Sequence, residues 1–211
     1  MKKFYKILII LTITTTGLYL LLNIKATTKY GINYKVYTKK IPFYIKLIEY
    51  IDRYYHYKEI IKEIVTPQMT NYQKTKAILE YIQKNLHHQP PNLPVIDDHP
   101  YHILLRHYGT QDQFEDIFTI LCNFADIPAF YLRQKITLDS LTINYISFVK
   151  VNKKWTIISA YYNKTFENNK KFIEFDSLKE KYQSLNNIKI NFNNNNLFKR
   201  YESQNIFKRF F

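Results

Sequence analysis

Gly109-Thr110-Gln111-Asp112-Gln113-Phe114 opens, and Ala125-Asp126-Ile127-Pro128-Ala129 closes, the stretch that decides how this chain is read. Between them Phe114, Ile117, Phe118, Leu121, Phe124 and Ala125 recur at helical spacing, giving one apolar stripe on a helix from about Asp112 to Ala125. Asp126-Ile127-Pro128 ends it, since the residue before a proline is pushed out of the helical region. The pattern then changes. Ala129 to Leu138, Ile143 to Val151 and Trp155 to Tyr162 are rich in β-branched and aromatic residues and read as strands. Asn152-Lys153-Lys154 joins the last two as a hairpin turn. Helices first and strands second predict an α+β fold with an antiparallel sheet, the stripe lying against the sheet that carries Phe148 and Trp155.

Working towards the N-terminus, Asp97 and Asp98 are candidate caps for a short helix over Tyr101 to His107, with Gly109 as its stop. His87 through Pro94, with three prolines, is a loop. Thr70-Asn71-Tyr72-Gln73 is a capping-box pattern that starts a helix with Tyr72, Leu79, Ile82 and Leu86 on its core face. Pro42 precedes a tyrosine-rich helix from Phe43 to about Val65, ended by Thr66-Pro67. Residues 26–41 show no clear period and read as a linker, which places one domain over 42–185. A further helix is expected from Asp176 to Leu185. The tail, 186–211, is asparagine-rich and holds a near-duplicate, Leu197-Phe198-Lys199-Arg200-Tyr201 and Ile206-Phe207-Lys208-Arg209-Phe210.

Residues 1–25 are of another kind. Ile7 to Ile24 is an uninterrupted apolar run following Lys2, Lys3 and Lys6. Eighteen helical residues span about 27 Å, close to the hydrocarbon thickness of a bilayer. A cleaved signal peptide shares the basic start and apolar run, but its cleavage site wants small residues, and Ile24 stands where one is needed. The run therefore reads as an uncleaved single-pass anchor through residues 7–24. Basic residues flank both ends, so the charge rule only weakly places the domain on the outer, non-cytoplasmic side.

The chain has 211 residues and a formal net charge of +14, which draws it towards anionic surfaces such as headgroups, acidic polysaccharide or nucleic acid. The lysines are scattered, and zinc-finger, Walker and RNA-binding signatures are missing, which argues against nucleic acid as the partner. A single cysteine, Cys122, precludes an internal disulfide and a cysteine-built zinc site. His99, His102 and His107 near Asp97 and Asp98 read as ordinary surface histidines, so neither a metal nor another cofactor is expected.

The order and spacing of these motifs, over roughly residues 70 to 180, resemble the transglutaminase-like family of papain-type fold. Its members carry Gly-x-Cys at the start of a buried helix, then Gly-Ile-Pro-Ala-Arg at the exit. A strand that begins with histidine follows, and then a hairpin whose second strand reads Trp-x-x-x-Asp. Asp126-Ile127-Pro128-Ala129, the hairpin Val149-Lys150-Val151-Asn152-Lys153-Lys154-Trp155, and Tyr162-Asn163-Lys164-Thr165-Phe166 carry the resemblance. It implies a thiolate supported by the helix dipole, a histidine moving protons, and an aspartate orienting the histidine.

The resemblance puts those three roles at Gln111, Asn144 and Ser159. A carboxamide is no nucleophile, and asparagine is no base. Cys122, in the middle of the apolar stripe, reads as an inert core thiol. The expected function is thus a catalytically inactive domain held at a membrane, a binding or scaffolding module for a peptide, glycan or protein. An active protease or acyltransferase with a relocated nucleophile is the alternative, and a purely structural membrane protein is a third reading.

Overall fold

The computed structural model describes residues 2–97, 99–138, 140–186 and 188. In chain order the helices are α1 (Lys2–Asn23), α2 (Phe43–Ile64), α3 (Asn71–Asn85), α4 (Pro100–Arg106), α5 (Gln111–Phe124) and α6 (Phe175–Lys181). The longer strands are β1 (Lys25–Ile32), β2 (Lys35–Pro42), β6 (Ala129–Leu138), β7 (Leu141–Val151) and β8 (Lys154–Ser159). Two-residue strands are β3 (His87–His88), β4 (Ile96–Asp97), β5 (Tyr108–Gly109), β9 (Lys164–Thr165), β10 (Glu167–Asn168) and β11 (Lys171–Phe172). The chain divides into two compact units. One runs to His56 and includes Pro94–Asp98; the other holds Tyr57–Leu93 and the chain from His99 onward.

In the first unit, α1 is long and apolar enough to cross a membrane, a test that a signal sequence also passes. Its threonines donate their hydroxyls back to the helix, Thr12 to the Leu8 carbonyl and Thr15 to that of Leu11, both at 2.9 Å. The stretch 26–41, expected as a linker, is a β-hairpin paired from Lys25↔Pro42 to Ile32↔Lys35. Its turn is Asn33-Tyr34, both at positive φ (47° and 65°), the two-residue geometry that matches strand twist. Tyr30 and Tyr37 stack across the strands at 5.6 Å. Nearly every residue of the hairpin is at least partly exposed, so neither face acquired the apolar alternation by which a strand is recognised. Gly31 pairs with Asp97, and a Cβ at position 31 would stand 2.9 Å from that of Asp97. The second compact unit begins at Tyr57, within α2.

The second unit has the expected α+β plan, helices preceding an antiparallel sheet of order β6-β7-β8-β9. The capping box starts α3, with the Gln73 carboxamide accepting from the Thr70 backbone N–H at 2.9 Å. At α4, Asp97 does not cap: it lies in β4, and Asp98 is outside the described residues. His99 takes that role, its Nδ1 accepting from the Tyr101 N–H at 3.1 Å. Nor does Gly109 end that helix; His107 holds the left-handed position at φ 60°. Gly109 lies in β5, where a Cβ would meet Ile103 Cγ2 and Gln113 Oε1, each at 3.0 Å.

Two hydrophobic clusters sandwich the sheet. Phe114, Ile117, Phe118 and Leu121 of α5 join Ile78, Leu79 and Ile82 of α3 and the facing residues Val149, Val151 and Ile158. Phe148 and Trp155, on alternate positions of the same strands, point the other way and pack with Phe130, Phe175 and Leu178. The Asn123 carboxamide clamps the exit of α5 to the start of β6. It donates to the Ala129 carbonyl at 2.8 Å and accepts from the Ala129 N–H at 3.2 Å. β8 ends at Ser159 rather than Tyr162, and the expected helix 176–185 is split into α6 and a 3-10 turn, Gln183–Leu185. The duplicated aromatic-basic motif of the tail lies outside the described residues.

Candidate functional site

The start of α5 is locally specified. Thr110 is its N-cap, and the Gln113 carboxamide accepts from the Thr110 N–H at 3.1 Å. That cap sets Gln111 on the first turn facing β7. Gln111 Oε1 accepts from the backbone N–H of Asn144, and its Nε2 donates to the carbonyl of Tyr145, both at 3.4 Å. Gln111 and Asn144 therefore meet, through a side chain on one and the backbone on the other. The side chain of Asn144 is exposed, opposite a register shift between Arg133 and Ile136 of β6.

Ser159 also reaches α5, one turn further on. The residue is 1% exposed, and its hydroxyl donates to Glu115 Oε1 at 3.0 Å. Glu115 is fully buried and gathers more than this one donor. The Ser147 hydroxyl gives a hydrogen bond to Oε2 at 2.5 Å, and the Tyr161 N–H one to Oε1 at 3.3 Å. Burial pushes the Glu115 carboxyl up to about 7, against the opposing pull of hydrogen bonds from Ser147, the Ala160 N–H, Ser159 and the Tyr161 N–H. The structure thus joins 111 to 144 directly, and 159 to the same helix through Glu115.

Glu115 is the residue the apolar stripe concealed. The signal was present: an acid three residues before Phe118 and four after Gln111, on the face that turns out to be buried. Also unforeseen is His88. The parallel pairing His88↔Gly109 brings it near the head of α5. Its ring stacks on Tyr161 with centroids 4.0 Å apart, and its Nε2 lies 3.2 Å from the Tyr161 carbonyl oxygen. His107 Nδ1 lies 3.1 Å from the Asn85 carbonyl oxygen. No group of three or more His, Cys, Asp or Glu side chains placed to hold a metal is found among the described residues.

Cys122 lies in the core at 0% exposure, and burial alone pushes its thiol well above the ordinary range. A thiol with neither a thiolate form at neutral pH nor an access path is chemically quiet.

Residues 58–171, more than half of the chain, match the model of the transglutaminase-like superfamily. No curated protein matches the sequence. Similar solved structures include a proposed protease from Parabacteroides distasonis, 17% identical with a TM-score of 0.39 over 56% of this chain and 28% of that one. A proposed cysteine protease from Cytophaga hutchinsonii is 17% identical with a TM-score of 0.43, over 50% of this chain and 37% of that one. A TGase is 14% identical with a TM-score of 0.40, over 69% and 48% respectively. The chain spans less than half the length of each of these structures. The likenesses are distant, and the assignment rests on the match over 58–171.

Proposed function

This chain belongs to the transglutaminase-like superfamily, and we propose that it is a catalytically inactive member, anchored to a membrane by residues 7–24 with its domain outward, serving as a binding or scaffolding module for a peptide, glycan or protein. The observation that carries this is Gln111. At the head of α5, where the superfamily's chemistry wants a thiolate, a carboxamide is hydrogen-bonded to the backbone of β7 at Asn144 and Tyr145. It has no proton to lose at neutral pH, and the helix dipole has no anion there to stabilise. The chain's single thiol, Cys122, is buried and protonated, which speaks against a relocated cysteine nucleophile.

The anchor is supported by the apolar length of α1 and by threonines that satisfy their hydroxyls on its own carbonyls. Membrane fractionation with N-terminal sequencing tests it; a mature chain starting near Ala26 would show a signal peptide instead. For the chemistry, the purified full-length protein is expected neither to hydrolyse peptides nor to transfer acyl groups to amines. Turnover that tracks with the purified protein would overturn the reading, and its loss in Cys122→Ala would identify a relocated cysteine nucleophile. Restoration gives a sharper test. Gln111→Cys, Asn144→His and Ser159→Asp rebuilds the triad types, but the new Asp carboxylate lands against Glu115. Two buried carboxylates in contact do not both ionise. Adding Glu115→Ser should therefore make the new thiol react faster with iodoacetamide than it does in the triple variant.

A further inference from the structure

Two hairpin turns of the second unit share one sequence. Asn152-Lys153-Lys154 links β7 to β8, and Asn169-Lys170-Lys171 links β10 to β11. Their backbones agree as well. Asn152 and Lys153 have φ of 52° and 68°, Asn169 and Lys170 of 47° and 56°, so both are two-residue turns of the primed kind. Both border one cleft of about 440 Å³, with Tyr72, Trp155 and Phe172 among its walls. All four turn lysines are exposed. The cleft's one lining acid, Glu174, is held by Lys154 at 2.8 Å, whereas Lys171 has no ion-pair partner among the described residues. Nearby Glu167 is likewise occupied, by the Tyr72 hydroxyl, Lys76 and the Thr165 hydroxyl. The result is an aromatic cleft with a cationic rim whose acids are already engaged.

We propose that this cleft binds an acidic polysaccharide, the Lys170-Lys171 turn taking its carboxylates, the aromatic walls the apolar face of a sugar ring, and Asn152 and Ser177 its hydroxyls. This names the ligand for the outward-facing binding module proposed above and rests on that reading. The observations favour a saccharide over two other anions. A peptide adding to β8 would need its outer side open, and there the Thr156 hydroxyl already donates to the Ile173 carbonyl at 2.8 Å. Single-stranded nucleic acid wants a basic groove that tracks its backbone over several nucleotides, whereas the exposed lysines of this rim are gathered at two short turns.

Trp155 is the chain's only tryptophan, so its fluorescence reports on this cleft. The full-length protein in a neutral detergent would be titrated with oligogalacturonate, maltohexaose, short polyglutamate and oligo-dT at physiological salt. The expected result is a saturable change with oligogalacturonate and none with maltohexaose, with polyglutamate and oligo-dT distinctly weaker. Lys170→Glu with Lys171→Glu should weaken oligogalacturonate by about tenfold or more, while Lys135→Glu, at an exposed lysine of β6 that does not line the cleft, should leave it unchanged. No saturable signal, equal binding of polyglutamate or oligo-dT, or an equal loss with Lys135→Glu would overturn the proposal. Any of these would leave the inactivity assay standing, since that reading fails only on measured turnover.

Discussion

The two halves of α5 meet the same sheet by opposite means. From Ile117 to Cys122 the helix presents apolar side chains, with Ile117, Phe118, Leu121 and Cys122 all at 0% exposure. Its first turn and a half presents Gln111 and Glu115, which hold β7 and β8 by hydrogen bonds. Apolar contact is non-directional and tolerates drift in sequence, so long as volume is kept. A buried carboxylate tolerates nothing of the kind: each lone pair needs a donor at a set place, and its charge state depends on them. A fold preserved by the first half is compatible with any chemistry, or none, at the second.

Breaking the apolar half should have the largest effect. Phe118→Ala is expected to destabilise by about 3 to 5 kcal/mol in chemical denaturation, the usual cost of emptying a buried phenylalanine site. A loss under about 1 kcal/mol would mean that Phe118 is not part of the core that holds α5.

Glu115 comes next, and its effect is a function of pH. With a folded value near 7 against an ordinary 4.5, the folded protein keeps a proton that the unfolded chain has released between those limits. The folded state binds more protons there, so the contribution of Glu115 to stability is greatest below about pH 4.5, falls as pH rises towards 7, and levels off above it. The span is on the order of 3 kcal/mol. Glu115→Gln should flatten this slope, because its carboxamide can accept from Ser159 and Tyr161 while donating to Ser147. An unchanged pH profile in that variant would place the titration elsewhere.

The smallest effect separates the two sides of the Gln111 contact. Gln111→Ala removes two long hydrogen bonds at a half-buried site and should cost under about 1 kcal/mol. Asn144→Ala should cost less still, since Asn144 contributes its backbone N–H. If Asn144→Ala proves the costlier of the two, its side chain has a role the hydrogen bonds do not explain.

The apolar half was legible because helical periodicity is local: six residues within twelve positions announce a face. The same holds for the capping box at Thr70 and for the Asn152-Lys153 turn. Glu115 was not legible as a site, because its meaning comes from Ser147, Ser159 and Tyr161, 32 to 46 residues away. The hairpin over 25–42 escaped for a different reason. Strands are recognised by alternation of buried and exposed residues, and this hairpin buries almost nothing.

By itself, then, the sequence determined the order of elements, the apolar faces, the identities Gln111, Asn144 and Ser159, and the apolar run of α1. These depend on neighbours within a few turns or on composition. Only the tertiary structure decided which of those polar residues share a contact, that a buried acid stands between helix and sheet, and that two distant Asn-Lys-Lys turns flank one cleft. Each follows from long-range strand pairing and packing, which bring together groups whose separation along the chain carries no periodic signal.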